Sequence, residues 1–228
     1  MKVVFCTPTI TEPYPDYIKS LEKTASKLEE HGWETQSVYE IGNPYISAAR
    51  AIMLRKALDA KPDAIVFLDH DISWEPEDMG KLLHTDAEVV GGTYRFKKDE
   101  EEYMGAIISN GDGIPVTRND GCIKVDRLPA GFLKVTPKAI DRFMEMYPEL
   151  VYGPRYAQSV DLFNHGVIDR QWMGEDYAFS KRWCDKCGDL WCVPNLNINH
   201  HSIDKVYKGN LHIFLRRQPG GDLHKGDQ

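Results

Sequence analysis

Continuous apolar runs alternate with helical stripes along the first half of the chain, and together they predict a βαβ series. Lys2 to Cys6 is a short, β-rich apolar run that stops at Thr7-Pro8-Thr9, the pattern of a buried first strand feeding a loop. Ile18, Leu21, Ala25 and Leu28 recur at helical spacing, and Gly32 closes that pattern as a C-terminal cap. Trp33 to Tyr39 predicts a second strand, and Ile46 to Ala60 a second helix with Ile46, Ala49, Met53 and Ala57 on one stripe. Ala64 to Leu68 is apolar without interruption, as in a strand covered on both faces. Pro76, with Glu75, Glu77 and Asp78 around it, marks another helix start, and Glu88 to Gly92 resumes the sheet.

The second half is less regular. Charges cluster from Lys97 to Glu102, and Asn119-Asp120-Gly121 signals a tight turn between short strands. Thr136-Pro137 starts a helix running to about Tyr147, with threonine as cap and proline at the first helical position. Gly174-Glu175-Asp176 opens a helix that ends by Gly188, and Leu190 to Val193 reads as a last short strand. The fold class expected is α/β, a Rossmann-like single domain with a mostly parallel central sheet flanked by helices and a smaller mixed β region. Residues 1–205 form that domain, and residues 206–228 a basic C-terminal tail.

Composition narrows the picture. The chain has 228 residues, 42% hydrophobic and 28% charged, enough interior for one full sheet. A net charge of -7 gives no global attraction to nucleic acid or to an anionic membrane surface. No run approaches the roughly 20 apolar residues of a membrane span, and the N-terminus lacks a secretory apolar region, so a cytoplasmic protein is expected. Cys6, Cys122, Cys184, Cys187 and Cys192 are odd in number and unevenly spaced, which favours reduced thiols. Cys184-x-x-Cys187 with Cys192 and His200 or His201 has a zinc-like spacing, with buried free thiols as the preferred alternative. The tail carries Lys205, Lys208, Arg216, Arg217 and Lys225, positioned to close over a phosphate-bearing ligand unless it is simply solvated.

The chemistry concentrates at Asp69-His70-Asp71. Both carboxylates follow the buried run, so they emerge at the carboxyl edge of a parallel sheet, where α/β folds bind ligands. Side chains two apart on extended backbone project the same way. Two hard oxygen ligands at one edge suit Mg²⁺ or Mn²⁺ and, through the cation, a diphosphate leaving group. The bland alternative is a pair of polar residues terminating the strand. The Thr7-Pro8-Thr9 loop has no glycine, which argues against a dinucleotide fingerprint, a P-loop or a nucleotidyltransferase.

Taken together, the apolar run into Asp69-His70-Asp71, the glycine-free first loop and Gly174-Glu175-Asp176 resemble the GT-A glycosyltransferases, including small stand-alone enzymes of bacteria and phages. The resemblance spans roughly residues 1–205. It implies a metal-dependent enzyme, a hexosyl- or pentosyltransferase, that moves a sugar from a nucleotide-sugar, a UDP-sugar first of all, to a hydroxyl acceptor. Asp69 and Asp71 would take the donor ribose and the metal, His201 would complete the metal shell, and Thr7, Pro8 and Thr9 would border the nucleotide. Ser202-Ile203 departs from the glycine that often follows that histidine. Arg50 stands loosely in the place of a donor-facing residue, with a surface arginine as the equal alternative, and Lys208 would meet the donor from the tail. Asp176 would be the general base and Glu175 its neighbour orienting the acceptor, giving inversion; the helix N-terminus would keep such a carboxylate ionised. Gly131 would line the acceptor side, with a plain turn into the strand Leu133 to Val135 as the equal alternative. Trp172, just before the acidic pair, offers a flat apolar face for a sugar ring or a base on that side, with a core aromatic as the commoner alternative. The acceptor itself is open between a hydroxylated base in phage DNA, which would place the enzyme in the host cytoplasm, and a cell-surface or lipid-linked glycan. A non-catalytic nucleotide-binding module is the remaining alternative, and the oligomeric state is not encoded in these patterns.

Overall fold

The computed structural model describes residues 1–218. In chain order the elements are β1 (Lys2–Thr9), α1 (Pro15–Glu30), β2 (Glu34–Ile41), α2 (Ile46–Asp59), β3 (Ala64–Leu68), β4 (Ile72–Ser73), α3 (Pro76–His84), β5 (Val89–Gly91), β6 (Ala106–Ile107), β7 (Ile123–Arg127) and β8 (Phe132–Val135). They continue with α4 (Pro137–Met146), β9 (Val151–Tyr152), β10 (Ser159–Val160), β11 (Gly166–Ile168), β12 (Gln171–Met173), α5 (Glu175–Arg182), β13 (Leu190–Cys192), β14 (Ile198–His201), β15 (Val206–Gly209) and α6 (Leu211–Arg217).

The central sheet has eight strands in the order β2-β1-β3-β8-β5-β13-β7-β6. The run β2-β1-β3 is parallel, as are β5 and β13, while β8 and β7 run against their neighbours. The sheet is therefore mostly parallel with two reversed strands, both from the less regular second half. Side-chain alternation divides the interior. Val4, Cys6, Ile65 and Phe67 face a core shared with Met53, Leu54, Phe143 and Phe179 of α2, α4 and α5, whereas Val3, Phe5, Val66 and Leu68 face Tyr17, Leu21, Met79 and Leu82 of α1 and α3. Helices on both faces explain why these strands read as continuous apolar runs rather than alternating ones.

Several boundaries differ from the sequence reading. The first strand does not stop at Cys6: Thr7-Pro8-Thr9 continues it, because β2 pairs with it residue by residue out to Ile41. The helix opened by Gly174 is α-helical only to Arg182 and widens into a π-helical turn at Trp183–Cys187 before Gly188 ends it at φ 154°. His200 and His201 do not trail a last strand but lie inside one, β14, sandwiched between β4 and β15 in a separate three-stranded sheet. The described part of the basic tail is likewise built in, as β15 and then α6, which Asn210 caps by accepting from Ile213 N at 3.1 Å. Lys225 lies outside the described residues. Among the described residues no helix is long and apolar enough to cross a membrane.

Candidate active site

The small sheet is what shapes the site. β3 ends at Leu68, Asp69 N donates to Gly131 O at 3.0 Å, and three residues after Asp69 the chain enters β4, which pairs with β14. His201 N donates to Asp71 O at 2.7 Å. The Asp69-His70-Asp71 turn is therefore clamped at both ends by backbone hydrogen bonds, to Gly131 just before β8 and to β14, and its side chains face a cavity of about 450 Å³, a usual size for a small-ligand site.

Arg50 is the structural surprise. It sits in the second turn of α2, is only 2% exposed rather than on the surface, and lines the cavity. Its guanidinium donates to Asp69 Oδ1 at 2.9 Å and to Glu175 Oε1 at 2.6 Å, and its Cζ lies 5.2 Å from the Phe163 ring centroid. The other Asp69 oxygen accepts from the Tyr94 hydroxyl at 2.6 Å, a phenol that burial and the Asp69 charge hold in its protonated form well above its usual range. Asp69 is thus fixed on both oxygens before any ligand arrives.

Asp71 is held differently. Its Oδ2 takes the Lys97 ammonium and stands 3.4 Å from His200 Nε2. Burial works against its ionisation, but hydrogen bonds and charge from His200 and Lys97 outweigh it and keep the carboxyl well below the ordinary range. His200 Nδ1 lies 2.8 Å from Arg95 O, a group that only accepts, so Nδ1 carries the proton and Nε2 is the atom turned toward Asp71.

Across the cavity, Glu175 and Asp176 open α5. Glu175 is spent on Arg50, leaving Asp176 as the carboxylate that lines the cavity without an arginine partner. One Asp176 oxygen accepts from Tyr177 N at 2.8 Å. Burial, then the Glu175 charge, raises its carboxyl to about 6 against the pull of Arg50. The helix N-terminus therefore does not dominate; burial beside a second carboxylate does.

Of the remaining residues singled out in the sequence, Pro8 and Thr9 line the cavity, together with Ile46, Met104 and His70. Thr7 does not: it is buried and its hydroxyl is hydrogen-bonded to the Tyr17 hydroxyl. Gly131 meets Asp69 and Tyr94 rather than open space, since a Cβ there would overlap both. Trp172 is 72% exposed on the β11–β12 hairpin, paired across it with Val167, itself 70% exposed. His201 and Lys208 face the other side of β14 and β15, into a second concavity shared with Asp16, Asn199 and Arg217. The His201 ring meets Ser73 Oγ at 2.8 Å, and adjacent residues of a strand point to opposite faces, which is why His200 and not its neighbour reaches Asp71. Tyr94 and Lys97 had no distinguishing signal in the sequence.

Among the described residues no three His, Cys, Asp or Glu side chains gather to hold a metal ion. A pair does fit the ligand set of a donor-bridging cation. Asp71 Oδ2 and His200 Nε2 stand 3.4 Å apart, close to the roughly 3 Å between adjacent ligands of an octahedral Mg²⁺, which commonly keeps waters and takes substrate phosphates for its other positions. The bond from His200 to the Arg95 carbonyl is the outer support that metal-binding imidazoles require. The five cysteines are free thiols.

No protein-family model matches the sequence, and no curated protein matches it either. Solved structures do match in fold. A197 from STIV superposes with a TM-score of 0.52 at 18% identity, over 92% of this chain and 95% of that one. GalNAc-T7, solved with UDP, GalNAc and Mn²⁺, gives a TM-score of 0.50 at 13% identity over 87% of this chain, which spans 43% of that longer protein. At these identities the likeness is one of architecture, and it bears out the fold read from the sequence: the chain has a GT-A-like fold.

Proposed function

We propose that the protein is a metal-dependent glycosyltransferase that moves a sugar from a uridine diphosphate donor to a hydroxyl acceptor with inversion. The observation that carries this reading is the single cavity where Asp69 and Asp71 face Glu175 and Asp176, with Arg50 pinning one carboxylate of each pair. The pinned members are positioning residues, and the other two are left for chemistry. Asp71 and His200 hold the cation, Mn²⁺ or Mg²⁺, which when bound stabilises charge on the departing diphosphate. Pro8, Thr9 and Ile46 form the wall for the nucleoside. Asp176 takes the proton of the acceptor hydroxyl as its oxygen bonds to the anomeric carbon; the bond from that carbon to the diphosphate oxygen breaks, and the electron pair leaves with the diphosphate. A carboxyl near pH 6 is suited to that task, being ionised at neutral pH yet basic enough to hold the proton.

The acceptor we favour is a sugar hydroxyl. Trp172, two residues before Gly174 at the head of α5, offers an exposed indole face for a sugar ring. Duplex DNA would need unspent cations near the cavity, but Arg50 and Lys97, which meet its aspartates, are paired with Asp69, Glu175 and Asp71. The deciding experiment screens nucleotide-sugars for Mn²⁺-dependent thermal stabilisation and hydrolysis, beside Asp69→Ala and Asp71→Ala. A UDP-sugar that stabilises the wild type but neither variant is expected; equal responses of all three would end the reading. Steeply salt-dependent binding of duplex DNA would replace the glycan acceptor.

A further inference from the structure

Lys97 occupies a position the proposed reaction does not use. Its ammonium rests on Asp71 Oδ2, the same oxygen that faces His200 Nε2. His200 Nδ1 lies 2.8 Å from Arg95 O, and its Nε2 faces the same Asp71 oxygen from 3.4 Å. A largely buried carboxylate calls for a positive partner, and Lys97 supplies one. The lysine is not a stray surface group, because the backbone that carries it is built in. Arg95 and Tyr103 form a β-bridge across the loop base, Phe96 N donates to Glu102 O at 3.0 Å, and the Arg95 guanidinium donates to Asp99 O at 2.9 Å. Its side chain remains a third exposed, whereas Asp71 and His200 are 14% and 8% exposed. The loop is fixed while the ammonium has a route to solvent.

We propose that Lys97 is a tethered occupant of the cation position, compensating the buried Asp71 charge in the free protein and displaced by the divalent cation. This rests on the assignment of Asp71 and His200 as cation ligands. An occupant of this kind makes the free protein a weak metal binder: the cation must expel one positive charge from a largely desolvated carboxylate before it can bind. Metal retention then depends on the extra ligands a diphosphate brings, so cation and donor arrive together.

The test is a titration of Mn²⁺ into full-length protein without donor, followed by electron paramagnetic resonance of the free ion. The proteins compared are wild type, Lys97→Gln, Lys97→Arg and Asp71→Asn, each also melted in chelator and in excess Mn²⁺. Lys97→Gln is expected to bind Mn²⁺ about ten-fold more tightly than wild type, the effect of removing one opposing charge at a partly screened site. It should melt lower than wild type in chelator and regain the difference in Mn²⁺. Lys97→Arg, keeping the charge, should bind as wild type does. Unchanged or weaker Mn²⁺ binding by Lys97→Gln, while Asp71→Asn still abolishes it, overturns the role of Lys97 and leaves the cation site standing. A melting loss that Mn²⁺ does not restore also overturns it, since that is a packing defect. Mn²⁺ binding that Asp71→Asn leaves intact removes the cation site itself and this inference with it.

Discussion

Arg50 and Glu175 lie 125 positions apart in the chain and meet at 2.6 Å inside the site. Because the same guanidinium also binds Asp69, one side chain of α2 ties the end of β3 to the start of α5. Removing one partner of a buried charge pair commonly costs about 3 kcal/mol or more, since the other charge is left unpaired. Arg50→Lys should incur much of that loss: an ammonium on a shorter reach lacks the fork that spans two carboxylates. Urea unfolding is expected to show a drop of about 3 kcal/mol for Arg50→Lys and for Glu175→Ala. A loss below about 1 kcal/mol for both would mean that the pair is no better than a surface contact.

In the proposed reaction Asp176 sets the pH dependence. With its carboxyl near 6, kcat/KM should fall as pH drops through that value, because the base becomes protonated. Asp176→Asn should lower turnover by roughly 10²- to 10⁴-fold while leaving UDP-sugar binding in place. Stability gives an independent reading. The folded carboxyl is raised above its ordinary 3.8, so between about pH 4 and 6 the folded state binds the proton more than the unfolded state does. That contribution is fully present below pH 4 and is lost as pH rises through 6. Asp176→Asn should therefore be more stable than wild type at pH 8, by at most about 3 kcal/mol, and the gap should close near pH 4. An unchanged gap across this range would place the carboxyl at its ordinary value.

How much of this was readable in the sequence follows from the physics of each signal. β3 and the aspartates beyond it were legible because a strand covered on both faces is a continuous apolar run, and five residues are too few for a buried helix. The helix start at Glu175 was legible from its acidic first turn. β4 and β14 were not: two-residue and four-residue strands carry too little periodicity, and their pairing is a contact between positions more than a hundred apart. Without that pairing, His200 and His201 are interchangeable; with it, strand alternation assigns one to each face. Arg50 was ambiguous for a related reason. An arginine in an amphipathic helix is ordinarily solvent-facing, and its burial is intelligible only once Asp69 and Glu175 are known to converge on it.

The two histidines make a direct comparison. If a cation is held by Asp71 and His200, then His200→Ala should abolish Mn²⁺ binding, and His201→Ala, whose ring faces Ser73, should retain it. Isothermal titration with Mn²⁺ in the presence of UDP separates the cases. Loss in His201→Ala alone would return the ligand role to the residue favoured by the sequence resemblance.

Trp172 carries the acceptor prediction. Its indole is 72% exposed, so Trp172→Ala should change stability by less than about 0.5 kcal/mol. Acceptor KM should rise while UDP-sugar affinity and donor hydrolysis stay as they were. An equal fall in donor hydrolysis would show that the hairpin acts on the whole site and not on the acceptor.

Gly131 tests whether Asp69 is held in place by its surroundings or by the ligand. The backbone of Gly131 accepts from Asp69 N at 3.0 Å, so it cannot retreat without breaking the bond that fixes the end of β3. A Cβ at that position would overlap the Asp69 carboxylate and the Tyr94 hydroxyl. Overpacking of this kind costs roughly 1–3 kcal/mol, and here the atoms that must move border the proposed donor site. Gly131→Ala is expected to lower both stability and UDP-sugar affinity. The atom nearest the new methyl is the Tyr94 hydroxyl, so Tyr94→Phe should relieve part of the damage. The double variant should then be less impaired than the sum of the two single ones, a coupling that neighbouring side chains show and distant ones do not. Strict additivity in a double-mutant cycle would mean that the backbone, not the Tyr94–Asp69 pair, absorbs the methyl group.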